Sequence, residues 1–232
     1  MIHWLAAHDS FPHPEKALRE PNGLLAVGGN LSVKRLIEAY SKGIFPWFNE
    51  GEPILWWSPD PRMVLYPEEL KISRSLQQIL KKSNYEVRID SAFVDVMKAC
   101  AAPRKGQNGT WITVPIVAAY SKLFELGLVH SVETWIEGEL AGGLYGVALG
   151  KMFYGESMFS RQPNSSKIAL VHLVRQLRRW RFGMIDCQIK TPHLASLGAR
   201  EIPRAEFSQR LAKLIKYPSI IGRWRFDHDN AE

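Results

Sequence analysis

The chain of 232 residues holds only two cysteines, Cys100 and Cys187. Two thiols this far apart give no C-x-x-C pair and no metal-ligand spacing, which excludes a disulfide framework and a zinc ribbon. No metal or other cofactor is expected. Long apolar runs are lacking as well: no window approaches the roughly eighteen uninterrupted apolar residues that suggest a membrane-crossing helix. The first residues, MIHWLAAHDSFPHP, show no basic segment followed by an apolar one, so they do not read as a secretory signal. A soluble, cytoplasmic monomer with no membrane partner is the expectation.

Familiar catalytic signatures are missing too. The seven histidines are scattered, and none neighbours a Gly-flanked serine of the elbow type. There is no P-loop, and the glycines of LAGGLYG fall inside an expected meander rather than at a strand-to-helix turn, so they do not form a dinucleotide fingerprint. Without a nucleophile or metal cluster, the chemistry must be undemanding or the substrate already activated.

Acidic residues are absent between Glu156 and Asp186, a window that carries Arg161, Lys167, Arg175, Arg178, Arg179 and Arg181. The formal charge of +7 favours polyanionic partners such as nucleic acid. At helical spacing Lys167, Arg175, Arg178 and Arg181 share one side, and Leu170, Leu173, Leu177 and Trp180 another. The stripe reads either as a solvated face or as a contact to phosphates. The missing acids favour the second, since a merely soluble face usually mixes signs. In the preceding loop, SRQPNSSK, Ser165 or Asn164 is a plausible N-cap.

Residues 1–62 are dense in Pro, Gly and Trp and predict a small, loop-rich N-terminal domain around one helix, Val33 to Lys42. Residues 63–232 form a second, larger domain in which strands and helices alternate. RMVLYP and YEVRID read as strands, SRSLQQILKK and SAFVDVMKACA as helices, and TVPIVAAYSKLFELG as a helix ended by Gly127. VHSVETWI, LAGGLYGVAL and MFYGESMF predict a three-stranded antiparallel meander. A long helix from Ser165 to Phe182, ended by Gly183, a short strand MIDCQI and a helix RAEFSQRLAKLI follow. The pattern predicts a mixed α/β sheet covered by helices.

Trp47, Trp56, Trp57 and Trp111 sit in Gly- and Pro-punctuated segments, either as packing plugs or as platforms for a stacked base. Glu156 stands in an apolar run, MFYGESMFS, and such a carboxylate is either desolvated or facing a polar cavity. In MIDCQ, period-two alternation sends Asp186 and Gln188 to one face and Cys187 to the other. The Asp–Gln pair is then either a structural hydrogen bond or a device that orients the Gln188 amide toward a substrate N–H.

The strings EPNGLLAVGGNLS, GIFPWF, ILWWSPDPR, GTWIT, FYGESMFSR, SSK and IDCQ, in this order, resemble the bacterial leucyl/phenylalanyl-tRNA–protein transferases from about Phe11 to Pro203. Asn30 replaces an expected Asp, and Ser165 an expected Ala. The resemblance implies a larger lobe of the GNAT acyltransferase type. It also implies transfer of Leu, Phe or, less well, Met from aminoacyl-tRNA to the N-terminal Arg or Lys of acceptor proteins, which marks them for degradation. Carried over by motif, Trp47 and Trp111 hold the 3′-terminal adenosine. Leu144, Phe153, Met158, Leu170 and Ile185 line the aminoacyl side-chain pocket, and Glu156, Asp186 and Gln188 form the polar catalytic centre. Asp186 and Glu156 are the carboxylates considered for the acceptor's cation and the aminoacyl ammonium or ribose.

Overall fold

The computed structural model describes residues 2–82, 84–103 and 110–227. Four short strands, β1 (His3–Leu5), β2 (Leu24–Gly28), β3 (Phe45–Pro46) and β4 (Leu55–Trp57), form one sheet in the order β1-β2-β4-β3. The expected loop-rich segment therefore contains a sheet. Strands of two to five residues among prolines and glycines are too short to show a period-two pattern. The expected helix is α1 (Val33–Ser41), where Ser32 Oγ accepts the Arg35 N–H as N-cap and Gly43 follows the end at φ 71°.

The second sheet has seven strands: β5 (Arg62–Leu65), β6 (Glu86–Ile89), β7 (Val129–Ile136), β8 (Glu139–Leu149), β9 (Met152–Ser160), β10 (Met184–Gln188) and β11 (Arg200–Ile202). Their order is β11-β5-β10-β9-β8-β7-β6. β7, β8 and β9 are the expected antiparallel meander, while β10 runs parallel to β9 and antiparallel to β5. The sheet is thus mixed, as the alternating pattern implies. Helices α2 (Arg74–Leu80), α3 (Phe93–Ala101), α4 (Val114–Glu125), α5 (Ser165–Arg179), α6 (Pro192–Ser196) and α7 (Arg204–Leu214) accompany it.

α5 is the helix that backs the site. Its Leu173 and Leu177 are fully buried, each such side chain stabilising the fold by about 1.5–3 kcal/mol. It stops at Arg179 rather than Phe182, because Arg181 takes φ 57° and the Phe182 N–H turns back to Leu177 O at 2.9 Å. Arg181, not Gly183, supplies the left-handed residue of this terminus. At the other end Ser165 Oγ donates to Ala141 O at 2.9 Å, and a Cβ on Gly142 would stand 2.2 Å from that oxygen. The glycine run of β8 thus lets a helix approach the sheet closely.

One core runs through both sheets: Leu36, Tyr40 and Trp56 belong to the same buried cluster as Tyr120, Tyr154 and Phe207. The corresponding bond is that between the Tyr40 and Tyr120 hydroxyls.

Candidate active site

Both polar insertions sit on β-bulges. Across β8 and β9, Tyr145 faces Ser157 and Gly146 faces Gly155, so Glu156 is the extra residue. Across β5 and β10, Val64 faces Asp186 and Met63 faces Gln188, so Cys187 is the extra residue there, and Gln188 takes φ 61°. β9 and β10 are paired as far as Tyr154 and Asp186, after which β9 continues alone to Ser160. Bulges re-aim side chains, and here two neighbouring strands do so where their pairing ends.

This corrects the alternation expected for MIDCQ. Asp186, fully buried, faces Arg62: Oδ1 accepts from Arg62 Nε at 2.8 Å and Oδ2 from Arg62 Nη2 at 2.7 Å. The Arg62 guanidinium lies between the rings of Phe45 and Phe207, 4.8 and 4.7 Å from their centroids. Asp186 Oδ1 also accepts the Gln188 backbone N–H at 2.8 Å. Asp186 therefore orients the Gln188 backbone, not its side-chain amide, and its carboxylate is already occupied by an internal cation.

The Gln188 amide is held by Glu156 instead. Gln188 Nε2 donates to Glu156 Oε1 at 3.0 Å, and the Tyr120 hydroxyl donates to Glu156 Oε2 at 3.1 Å. Burial pushes the Glu156 carboxyl from an ordinary 4.5 up to about 8, against the opposing effect of hydrogen bonds from Tyr40 and Tyr120. Burial, reinforced by Glu156, also raises both tyrosines well above their usual range, so their hydroxyls stay protonated.

Glu156 and Gln188 open onto a cavity of about 640 Å³. Leu144, Phe153, Leu170 and Ile185, each 6 % exposed or less, form its deep wall together with Met158. Glu156 and Gln188 supply polar groups, and Trp47 and Trp111 also line it. Trp47 is 43 % exposed, its ring 5.6 Å from that of Trp57, whose Nε1 donates to Trp47 O. Trp56 is a packing plug, fully buried with Nε1 bonded to Gly28 O at 2.9 Å. Asp186 stands behind the lining. Among the described residues no group of three His, Cys, Asp or Glu is placed to hold a metal ion, and no helix is long and apolar enough to cross a membrane.

Two family models match the chain: residues 64–212 fit the leucyl/phenylalanyl-tRNA protein transferase model and residues 29–60 its N-terminal domain. A leucyl/phenylalanyl-tRNA–protein transferase from Nitrosospira multiformis is 67 % identical over 232 residues, covering 100 % of both chains. One from Nitrosomonas europaea is 65 % identical over 98 % of this chain and 96 % of its own. The chain belongs to the leucyl/phenylalanyl-tRNA–protein transferase family. Among solved structures, a GCN5-related N-acetyltransferase from Kribbella flavida aligns over 71 % of this chain and 59 % of its own, at 10 % identity and a TM-score of 0.38.

The model of the leucyl/phenylalanyl-tRNA–protein transferase family spans the basic residues as well as the cavity wall. Arg175 and Arg178 are exposed, and Arg178 Nε lies 2.7 Å from Glu68 Oε2. Arg181 is exposed beyond the end of α5. Lys167 is half-buried and, after burial itself, is the second cause lowering the His193 imidazole. Val171 and Val174, interleaved with these cations, are buried, so the stripe is not one continuous solvent face. Sequence reasoning missed Tyr40, Tyr120 and Arg62 around the centre, and His193 and Cys187 in the lining. Burial raises the Cys187 thiol strongly, which leaves it a poor nucleophile. Leu173 also lines the cavity, and its place in the apolar row of α5 was the available signal.

Proposed function

We propose that this chain, acting as a cytoplasmic monomer, transfers Leu, Phe and, less well, Met from aminoacyl-tRNA to the N-terminal Arg or Lys of acceptor proteins, generating an N-terminal degradation signal. The observation that carries the reading is the convergence of Trp47, Trp111, Leu144, Phe153, Glu156, Met158, Leu170, Ile185 and Gln188 on one cavity. Residues 1–62 and 63–232 act as its small and large domains. Trp47 and Trp111 take the 3′-terminal adenosine, the deep apolar wall takes the aminoacyl side chain, and Glu156 and Gln188 face the reacting amine and ester. Lys167, Arg175, Arg178 and Arg181 contact the tRNA backbone.

The aminoacyl ester is already activated, and the attacking α-amine, with an ordinary pKa of about 7.7–8.0, is partly neutral near pH 7. Holding the two together in reacting geometry supplies roughly 7–11 kcal/mol, so no catalytic triad is required. The amine nitrogen attacks the ester carbonyl, the bond to the ribose oxygen breaks, and the proton lost by the amine ends on that oxygen. With its N–H₂ donating to Glu156, Gln188 turns its oxygen toward the amine as an acceptor. A neutral amide is too weak a base to take the proton itself. Gln188→Glu therefore introduces an ionisation into the pH–rate profile that the wild type lacks; a wild-type profile already controlled by a base at Gln188 would overturn the alignment role.

The deciding assay incubates the protein with labelled leucyl-tRNA and an acceptor beginning with Arg or Lys. Label appears on the acceptor's N-terminus. Binding of tRNA without transfer, or transfer only from acetyl-CoA, would refute the reading.

A further inference from the structure

The segment after α7 carries no motif, yet its described residues are fastened at several points. The Gly150 N–H donates to Ser219 Oγ at 2.8 Å, and the Arg223 guanidinium lies 3.6 Å from the Phe124 centroid. The Trp224 N–H donates to Asp90 Oδ2 at 2.7 Å. Asp227 and Gln176 exchange two hydrogen bonds, Nε2 to Oδ2 at 2.6 Å and N–H to Oε1 at 3.1 Å.

Trp224, 2 % exposed, is the centre of this strap. It stacks on His130 at 3.6 Å and 8°, and the His130 imidazole is in turn held 2.8 Å from Asp90 Oδ2. The edge-on rings of Trp180 and Phe182 lie 4.9 and 5.9 Å away. Its remaining aromatic neighbour is Phe153, at 6.2 Å and 37°, within the range of a favourable aromatic pair.

Phe153 lines the cavity and Trp224 does not, so the indole stands behind that part of the wall. Phe153 is also confined from the β8 side: a Cβ on Gly146 would lie 2.6 Å from its Cε1 and Cζ, so the ring rests directly on backbone. That backbone bounds the ring on one side and the indole lies beside it, and close-packed interiors transmit a change of volume to the next layer.

We propose that Trp224 is a positioning residue that sets the depth of the aminoacyl side-chain pocket by holding Phe153 forward. This rests on the reading that the cavity takes the aminoacyl side chain. The strap thereby acts on donor choice without touching the substrate. Removing the indole lets Phe153 withdraw, which favours a longer aromatic donor over a shorter branched one.

The test compares kcat/KM for labelled leucyl-tRNA and phenylalanyl-tRNA in the wild type, Trp224→Phe and Trp224→Ala, with thermal melts as a check on folding. In Trp224→Ala the Phe-to-Leu ratio rises by at least about threefold, less than the roughly 10–200-fold that a methylene within the pocket itself is worth, because Trp224 acts through Phe153. Trp224→Phe, the variant that keeps an aromatic filler, shows a smaller shift of the same sign. Combined with Phe153→Leu, the Trp224 substitution no longer moves the ratio. Equal proportional losses for both donors would overturn the proposal, because a general loss of fold or activity leaves the ratio unchanged.

Calorimetric binding of 3′-leucylamido- and 3′-phenylalanylamido-adenosine gives the same ratio without any transfer step. An inactive wild type whose binding ratio still shifts on Trp224→Ala would sink the functional reading and uphold the pocket assignment. An unshifted binding ratio beside an active wild type would overturn the Trp224 proposal and leave the functional reading standing.

Discussion

Glu156 and Asp186 stand on neighbouring strands where β9 and β10 part, and their surroundings differ in kind. Asp186 meets a guanidinium through two parallel N–H donors and a backbone N–H through a third. Glu156 meets a phenol and an amide, and burial outweighs the hydrogen bonds of the tyrosines in setting its protonation. The first carboxylate braces the bulged strand β10 against its neighbour β5. The second lines the cavity with its proton retained near neutrality. Two acids one strand apart thus differ in charge state and in access to the cavity, and the partner each acquires decides which state it takes.

Breaking the Arg62–Asp186 side of this contrast has the largest expected effect. Asp186→Ala leaves a buried guanidinium without its carboxylate, which costs about 3–5 kcal/mol in denaturant titrations, while pairing it with Arg62→Met restores much of that stability. A single variant as stable as the wild type would show that the pair is no brace. Transfer falls in both variants, because the Gln188 N–H no longer has its anchor.

The Glu156 side is sharpened by pH. Its folded pKa is raised, so the stability linked to its proton is fully present below about 4.5 and is lost as pH rises through about 8. Glu156→Gln removes that dependence: its melting temperature exceeds the wild type's by at least several degrees at pH 8, and the two curves converge below pH 4.5. Parallel curves across this window would contradict the assignment. A smaller effect is expected for Tyr120→Phe, which removes the hydroxyl's hydrogen bonds to Glu156 and Tyr40, each worth about 1 kcal/mol. Because the bond to Glu156 favours the ionised carboxylate, its removal moves the Glu156 titration, followed by carboxyl-carbon NMR, to still higher pH.

The smallest effect lies away from both acids. Replacing Arg175, Arg178 and Arg181 by Glu weakens tRNA binding and lowers the slope of log affinity against log salt by about 0.7–0.9 for each phosphate no longer neutralised. An unchanged slope would remove these residues from the interface.

The meander and the long helices were legible because their hydrophobic periods extend over eight or more residues. The N-terminal sheet was not, since its strands are two to five residues long. The end of α5 was misplaced because Arg181 adopts a backbone conformation usually left to glycine, and nothing local announces that. At the site, GES and IDCQ stand out in the sequence as polar residues in apolar strands. The alternation expected of MIDCQ fails, because a bulge adds a residue without leaving a sequence signature.

Local sequence by itself determined the order of helices and meander strands and marked Glu156, Asp186 and Gln188 as out of place among apolar neighbours. It could do so because helix periods, caps and strand alternation are properties of adjacent residues. Tertiary structure alone decided what those residues became. Arg62 reaches Asp186 across 124 positions and Tyr120 reaches Glu156 across 36, and a carboxylate's protonation depends on such partners and on how completely water is excluded.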